Sequence, residues 1–212
     1  MLPGVSITKS DGNTGAVKPG ATGILAIIAP GSAGPLNEAA SFSRQDLLLA
    51  AAGQGEGAEW GAYVMAVAGN PVLYIRPNTS VAATYGSITS EISGTSVVTA
   101  GGSSPLQDFH AMVQIIKGGT VGVAGITYRT SLDGGDNWSA TQALGTGSTL
   151  TIPNSGVSFN LGAGTFLDGD AWDVFTKHAR MNDSDLATAL EALRVTRLPW
   201  EGVLIDEEVG TG

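Results

Sequence analysis

Apolar positions along this chain follow two different rhythms. From Thr22 to Ala29 they form an unbroken, isoleucine-rich run, the pattern of a strand covered on both faces. The loop Pro30-Gly31-Ser32-Ala33-Gly34-Pro35 closes it. Ser43-Arg44-Gln45-Asp46 has the form of a capping box and predicts a short helix over Leu47 to Ala52. A second helix is predicted over 58–68, where Trp60, Tyr63, Val64 and Val67 recur at i, i+3, i+4 and i+7 as one apolar stripe. Pro71 and the run Val72-Leu73-Tyr74-Ile75 predict the next buried strand. Strand, helix, helix, strand is an α/β beginning.

After Val81 the rhythm changes to alternation. Thr, Ser, Ile and Val alternate over 86–100, and Gly101-Gly102-Ser103-Ser104-Pro105 reads as a hinge. Strands are predicted over 110–117, 122–131, 147–152, 156–161 and 170–176, separated by turn residues as in a β-sandwich or barrel. The helical period then returns: Asn182 or Asp183 caps a helix whose stripe is Leu186, Ala189, Leu190 and Leu193. Trp200 and a buried strand over 202–206 come next. The pattern predicts an α/β (α+β) domain in two parts, 22–105 and 179–212, interrupted by an inserted all-β domain of sandwich or barrel type over 106–178. Residues 1–21 carry no helical period and are punctuated by Pro3, Gly4, Gly12, Gly15, Pro19 and Gly20. They read as an extended N-terminal arm, either a loose terminus or a strand for another subunit's sheet.

Composition agrees with a folded, turn-rich protein. Hydrophobic residues make up 42% of the chain and charged residues 14%, against roughly a quarter charged in ordinary domains, so there is ample material for a core. The formal net charge of −9 is spread along the chain and argues against nucleic acid as a partner. The chain has no cysteine, which excludes disulfides, thiolate metal sites and cysteine nucleophiles. The start, Met1 to Gly12, lacks the charged-then-apolar order of a secretory signal, and the apolar runs are too short to span a membrane. Synthesis in the cytoplasm, without membrane insertion, is the expectation.

Four local patterns could carry chemistry. Ser131-Leu132-Asp133-Gly134-Gly135-Asp136-Asn137-Trp138 fits the S-x-D-x-G-x-x-W form that resembles the Asp-box of sialidase-like propellers. There the pattern is a folding element: the Asp accepts turn amides, glycine takes positive φ and Trp packs beneath. Ser131, Asp133, Gly135 and Trp138 are therefore expected to build a structural hairpin; a sialidase needs several copies, an arginine cluster and a tyrosine nucleophile. Asp168, Asp170 and Asp173 crowd three carboxylates into six residues, so a weak calcium site is conceivable, although alternation along a strand separates Asp170 from Asp173 and a solvated turn is the expectation. Gly53 to Gly57 joins two helices and lacks a phosphate loop's lysine, so it reads as a linker. His110 and His178 stand about seventy residues apart at the edges of the β block, with no nucleophile elbow in the sequence. No catalytic set, metal site or cofactor is predicted, and the chain is not expected to be an enzyme.

The order of these elements resembles the tail sheath proteins of contractile bacteriophages and related injection machines. Leu2-Pro3-Gly4-Val5 is similar to the P-G-V start of that family, and Gly23 to Pro35 to its first strand and small-residue loop. The helix pair with the strand Pro71 to Arg76 is similar to the next elements of sheath subunits, and the β block to strand-rich insertions of tail proteins. Sheath subunits are usually longer, and this chain ends where their C-terminal domain begins. The resemblance implies a structural, virion-tail subunit made in a bacterial host, a homo-oligomer of rings or a helical tube around an inner tail tube protein, with baseplate or terminator proteins at its ends. It also implies that Leu2, Pro3, Gly4, Val5 and Ile7 are the strand-donating part of the arm. The alternative is a β-rich module binding carbohydrate or a host surface, through Trp138 or Trp172 stacked on sugar rings.

Overall fold

A computed structural model describes residues 23–205, and the arm residues Leu2, Pro3, Gly4, Val5 and Ile7 lie outside that range. The continuous apolar runs become the centre of a four-stranded sheet. β1 (Leu25–Ile28) pairs in parallel with β3 (Val72–Ile75) on one side and with a C-terminal strand, Gly202–Ile205, on the other. β2 (Ala39–Phe42), which the sequence pattern did not predict, closes the far edge antiparallel to β3. Both faces are covered. Ile27, Ala29, Val72 and Tyr74 pack under α1 (Gln45–Ala52) and α2 (Glu56–Ala68) through Leu48, Ala52, Ala58 and Met65. The alternate residues Ala26, Ile28, Leu73 and Ile75 pack against Ala189 and Leu193 of α3 (Asp183–Val195). Two-sided coverage is the reason these strands are apolar at every position.

Helix starts divide into one that matches expectation and one that does not. Asn182 caps α3 through a reciprocal box, its side chain accepting from the Asp185 N–H while Asp185 accepts from the Asn182 N–H. The box expected at Ser43 is not formed: Arg44 is the N-cap, without a side-chain cap bond, and its guanidinium folds onto Asp46 instead. The helix begins one residue later than the motif requires, with Leu48 N–H donating to Arg44 O.

Strands from 84 to 177 pair among themselves. The segment begins with β4 (Thr84–Tyr85), β5 (Thr89–Glu91) and β6 (Val98–Ala100) and continues through β7 (His110–Lys117), β8 (Gly119–Thr120) and β9 (Thr127–Ser131). β10 (Gln142–Ala143), β11 (Thr149–Thr151), β12 (Ser158–Leu161), β13 (Thr165–Phe166) and β14 (Ala171–Lys177) complete it, and Gly202–Ile205 is β15. One sheet runs β10-β9-β7-β14-β4 with β5 also on β14; β11-β12-β6 and β13-β8 form two smaller sheets. All these pairings are antiparallel, and their residues share a core built on Trp172, Phe159 and Phe166. β4 and β6 contribute Tyr85 and Val98 to this core and β5 pairs with β14, although all three precede residue 106. The strand expected over 122–131 is shorter, because Gly122 (φ 88°) and Gly125 (φ 132°) turn the chain before Thr127.

The segments entering and leaving the β block run side by side. Val81 and Arg180 form an antiparallel bridge with backbone bonds of 3.0 and 2.9 Å. Asp108 accepts from the His178 backbone N–H at 3.0 Å, lies 2.9 Å from its Nδ1 and takes a 2.8 Å bond from Arg180. Burial by itself would raise the Asp108 pKa, but the His178 bonds and the Arg180 charge outweigh it and hold the carboxyl below its ordinary value.

Candidate interaction surfaces

Among the described residues, the open surfaces of the four-stranded sheet and its helices include an edge of the sheet and one side of α2. The sheet order β15-β1-β3-β2 places β15 at an edge, and among the described residues nothing pairs with its outer side. Such an edge offers a row of main-chain donors and acceptors to any added strand. Val195, Leu198, Trp200 and Ile205, all exposed, lie on it or just before it in sequence.

The second surface is the outward side of α2. The stripe Trp60, Tyr63 and Val67 points to solvent, with Tyr63 62% and Val67 69% exposed, and only Val64 packs partly against the core. The buried side is made of Gly57, Ala58, Gly61 and Met65. A Cβ on Gly57 would meet Pro30 O at 2.7 Å, and one on Gly61 would meet Leu48 Cδ2 at 2.5 Å. The helix approaches β1 and α1 too closely for larger residues, so size rather than hydrophobicity decides which side goes in. Leu190 of α3 is likewise turned outward, 38% exposed, while Asp185 takes a buried place.

The hairpin after β9 brings Ser131, Asp133 and Gly135 together. Ser131 Oγ donates to Asp133 Oδ1 at 2.6 Å and accepts from the Gly135 N–H at 2.9 Å. Asp133 accepts from the Asn137 backbone N–H at 2.9 Å and from its side-chain amide at 2.6 Å. Gly134 (φ 74°) and Gly135 (φ 98°) make the turn. Trp138 is half-buried, with the Arg129 guanidinium 4.3 Å from its ring centroid and Gly135 against its edge. The Ser131 bond, then those from Asn137, hold the Asp133 carboxyl down to about 2 from an ordinary 3.8. A depressed folded-state pKa stabilises the hairpin at pH values above 3.8, and that contribution is lost as pH falls through about 2. An acid titration followed by tryptophan emission is expected to show a component centred near pH 2 that Asp133→Asn lacks. Superimposable titrations would refute the linkage.

No known protein-family model matches this chain, and no curated protein matches it. Solved structures do. The chain is similar to the sheath tail protein Lin1278 from Listeria innocua, with 16% identity over 85% of this chain and 39% of that one, at a TM-score of 0.39. It is similar also to the sheath tail protein DSY3957 from Desulfitobacterium hafniense, with 13% identity over 85% of this chain and 41% of that one, at a TM-score of 0.41. The chain spans about two fifths of the length of these proteins.

The remaining candidate residues are dispersed. Asp168 accepts from the Gly118 N–H at 2.6 Å, and Asp173 lies 3.1 Å from His110 Nε2. Asp170 is buried rather than solvated and accepts backbone N–H bonds from Ser93, Gly94 and Leu167. The three carboxylates thus serve different protein partners. Trp172 is 1% exposed, which removes it as a sugar-stacking platform. Sequence reasoning missed the outward face of α2, although the acid-to-aromatic spacings Glu56/Trp60 and Glu59/Tyr63 are visible in the sequence.

Proposed function

We propose that this chain is a structural, sheath-like subunit of a contractile phage tail, assembling into rings or a helical tube around an inner tail tube. The observation that supports this most is the open edge of β15 beside a parallel partner. An edge in that position accepts a strand from a neighbouring subunit through main-chain bonds, which need no particular side chain. Residues 1–21, with Leu2, Val5 and Ile7 in loose alternation, have the composition of a donated strand. On this reading the β4–β14 block is an inserted unit, reached and left through the adjacent segments around Val81 and Arg180.

Deleting residues 1–18 tests the reading. The shortened chain is expected to keep its far-UV circular dichroism and unfolding midpoint but to fall from rings or tubes to a monomer, by light scattering and negative-stain microscopy. A full-length chain that stays at 21.4 kDa at high concentration, or a shortened one that assembles equally well, overturns it.

A further inference from the structure

An open cleft of about 410 Å³ lies on the outward side of α2, a volume within the range of ligand-accepting sites. It is lined by Glu56, Glu59, Trp60, Tyr63 and Gln107. The first four come from one helix at i, i+3, i+4 and i+7, so they share a face, and Gln107 approaches from the chain that leads into β7. Trp60 and Tyr63 meet edge-to-face, ring centroids 6.2 Å apart and planes at 84°. Both are substantially exposed, 44% and 62%, which a soluble surface does not require of its largest aromatics.

We propose that this cleft receives an arginine or lysine side chain from a basic segment of a partner protein. Two aromatic rings at right angles offer at least one π face to a cation, and face-on approach to Trp or Tyr is the geometry that attracts guanidinium or ammonium groups. Glu56 and Glu59 stand one turn before the rings and supply opposite charge at the rim. Carboxylates in the first turn of a helix need no partner on their own account. Their alignment with exposed aromatics, and the lack of any basic residue among the described side chains lining the cleft, make the surface complementary to a cation. The two arginines of residues 23–105 are engaged elsewhere: Arg44 pairs with Asp46, and Arg76 donates to Gly34 O at 2.8 Å. An anionic lipid surface or nucleic acid would meet the two carboxylates. A second copy placed face to face would bring four of them together on chains that already carry −9 each. A basic protein segment meets neither obstacle. None of the residues lining the cleft lies on β15, the edge on which the proposed function rests.

The test uses the full chain and a fluorescein-labelled peptide, Gly-Arg-Gly-Arg-Gly-Arg-Gly, followed by fluorescence anisotropy, which reads binding whatever the size of the assembly. Saturable binding is expected. Glu56→Gln with Glu59→Gln should weaken it about tenfold and Trp60→Leu about fivefold, in line with two partly exposed ion pairs and one cation–π contact. Trp138→Leu, whose ring already carries Arg129, should leave it unchanged. Trp60→Phe keeps an aromatic ring and should retain most of the affinity, which separates loss of the π face from a folding defect. Binding that survives both the Glu56/Glu59 and the Trp60→Leu changes is diffuse attraction to an acidic chain and overturns the proposal. A neutral Gly-Gln peptide of equal length binding as tightly overturns it too, and so does an absence of binding by the arginine peptide.

Discussion

Truncating Trp172 to alanine is expected to destabilise the β block by about 4 kcal/mol. Its ring is 1% exposed and packs against two others, stacked on Phe166 at 5.5 Å and edge-on to Phe159 at 5.9 Å. Around them, Val113, Ile115, Val174 and Leu161 belong to the same core, so removal of the indole leaves a cavity walled by large residues on several strands. Trp172 lies on β14, which pairs with β4, β5 and β7, and the loss therefore propagates across the principal sheet. One feature moderates the milder change: Trp172 Nε1 is buried and has no hydrogen-bond partner among the described residues. Trp172→Phe removes that unpaired donor along with some volume, and its cost should be only about 1–2 kcal/mol. Urea unfolding followed by far-UV circular dichroism measures both. A loss below about 1.5 kcal/mol for the alanine variant would show that the core collapses into the space, contrary to the packing argument.

The second large effect is at Asp170. Its carboxylate is 3% exposed and accepts from the N–H groups of Ser93 and Leu167, each at 2.8 Å, and from Gly94 at 3.3 Å. It fastens the segment between β5 and β6 to the turn before β14. Asp170→Ala leaves these donors without an acceptor in a partly buried place, at an expected cost of about 3 kcal/mol. Asp170→Asn keeps one oxygen acceptor and should recover about half of that. Urea unfolding of the pair decides the matter: equal losses for Ala and Asn would place the effect in the charge, and no loss in either would mean that water replaces the carboxylate. Millimolar calcium should not move the unfolding midpoint of the parent chain, since Asp168, Asp170 and Asp173 are each held by different groups.

Much of the fold is legible in residue order because it depends on local rules. Covered strands announce themselves as apolar runs, as at β1 and β3. A capping residue at Asn182 or Asp183 ahead of an apolar stripe announces α3. Alternation marks β7 and β14, whose buried positions fall at every second residue. The short strands β2, β4, β8, β10 and β13 carry two to four residues each, too few to show a period, and only their partners define them.

The sequence by itself determined the alternation of strand and helix, the two-sided burial of the apolar runs, and the turn chemistry of Ser131 to Gly135. All of these arise from residues close in the chain. Tertiary structure alone decided which face of α2 is buried. Periodicity marked Trp60, Tyr63 and Val67 as a stripe, whereas Gly57, Ala58 and Gly61 are the residues that fit on the buried side, with Gly57 against Pro30 and Gly61 against Leu48. Tertiary structure also turned Asp170 inward, because two of the amides it binds come from Ser93 and Gly94, more than seventy residues away. In both places the deciding quantity was the space or the donor offered by a distant segment, and no pattern within one element contains it.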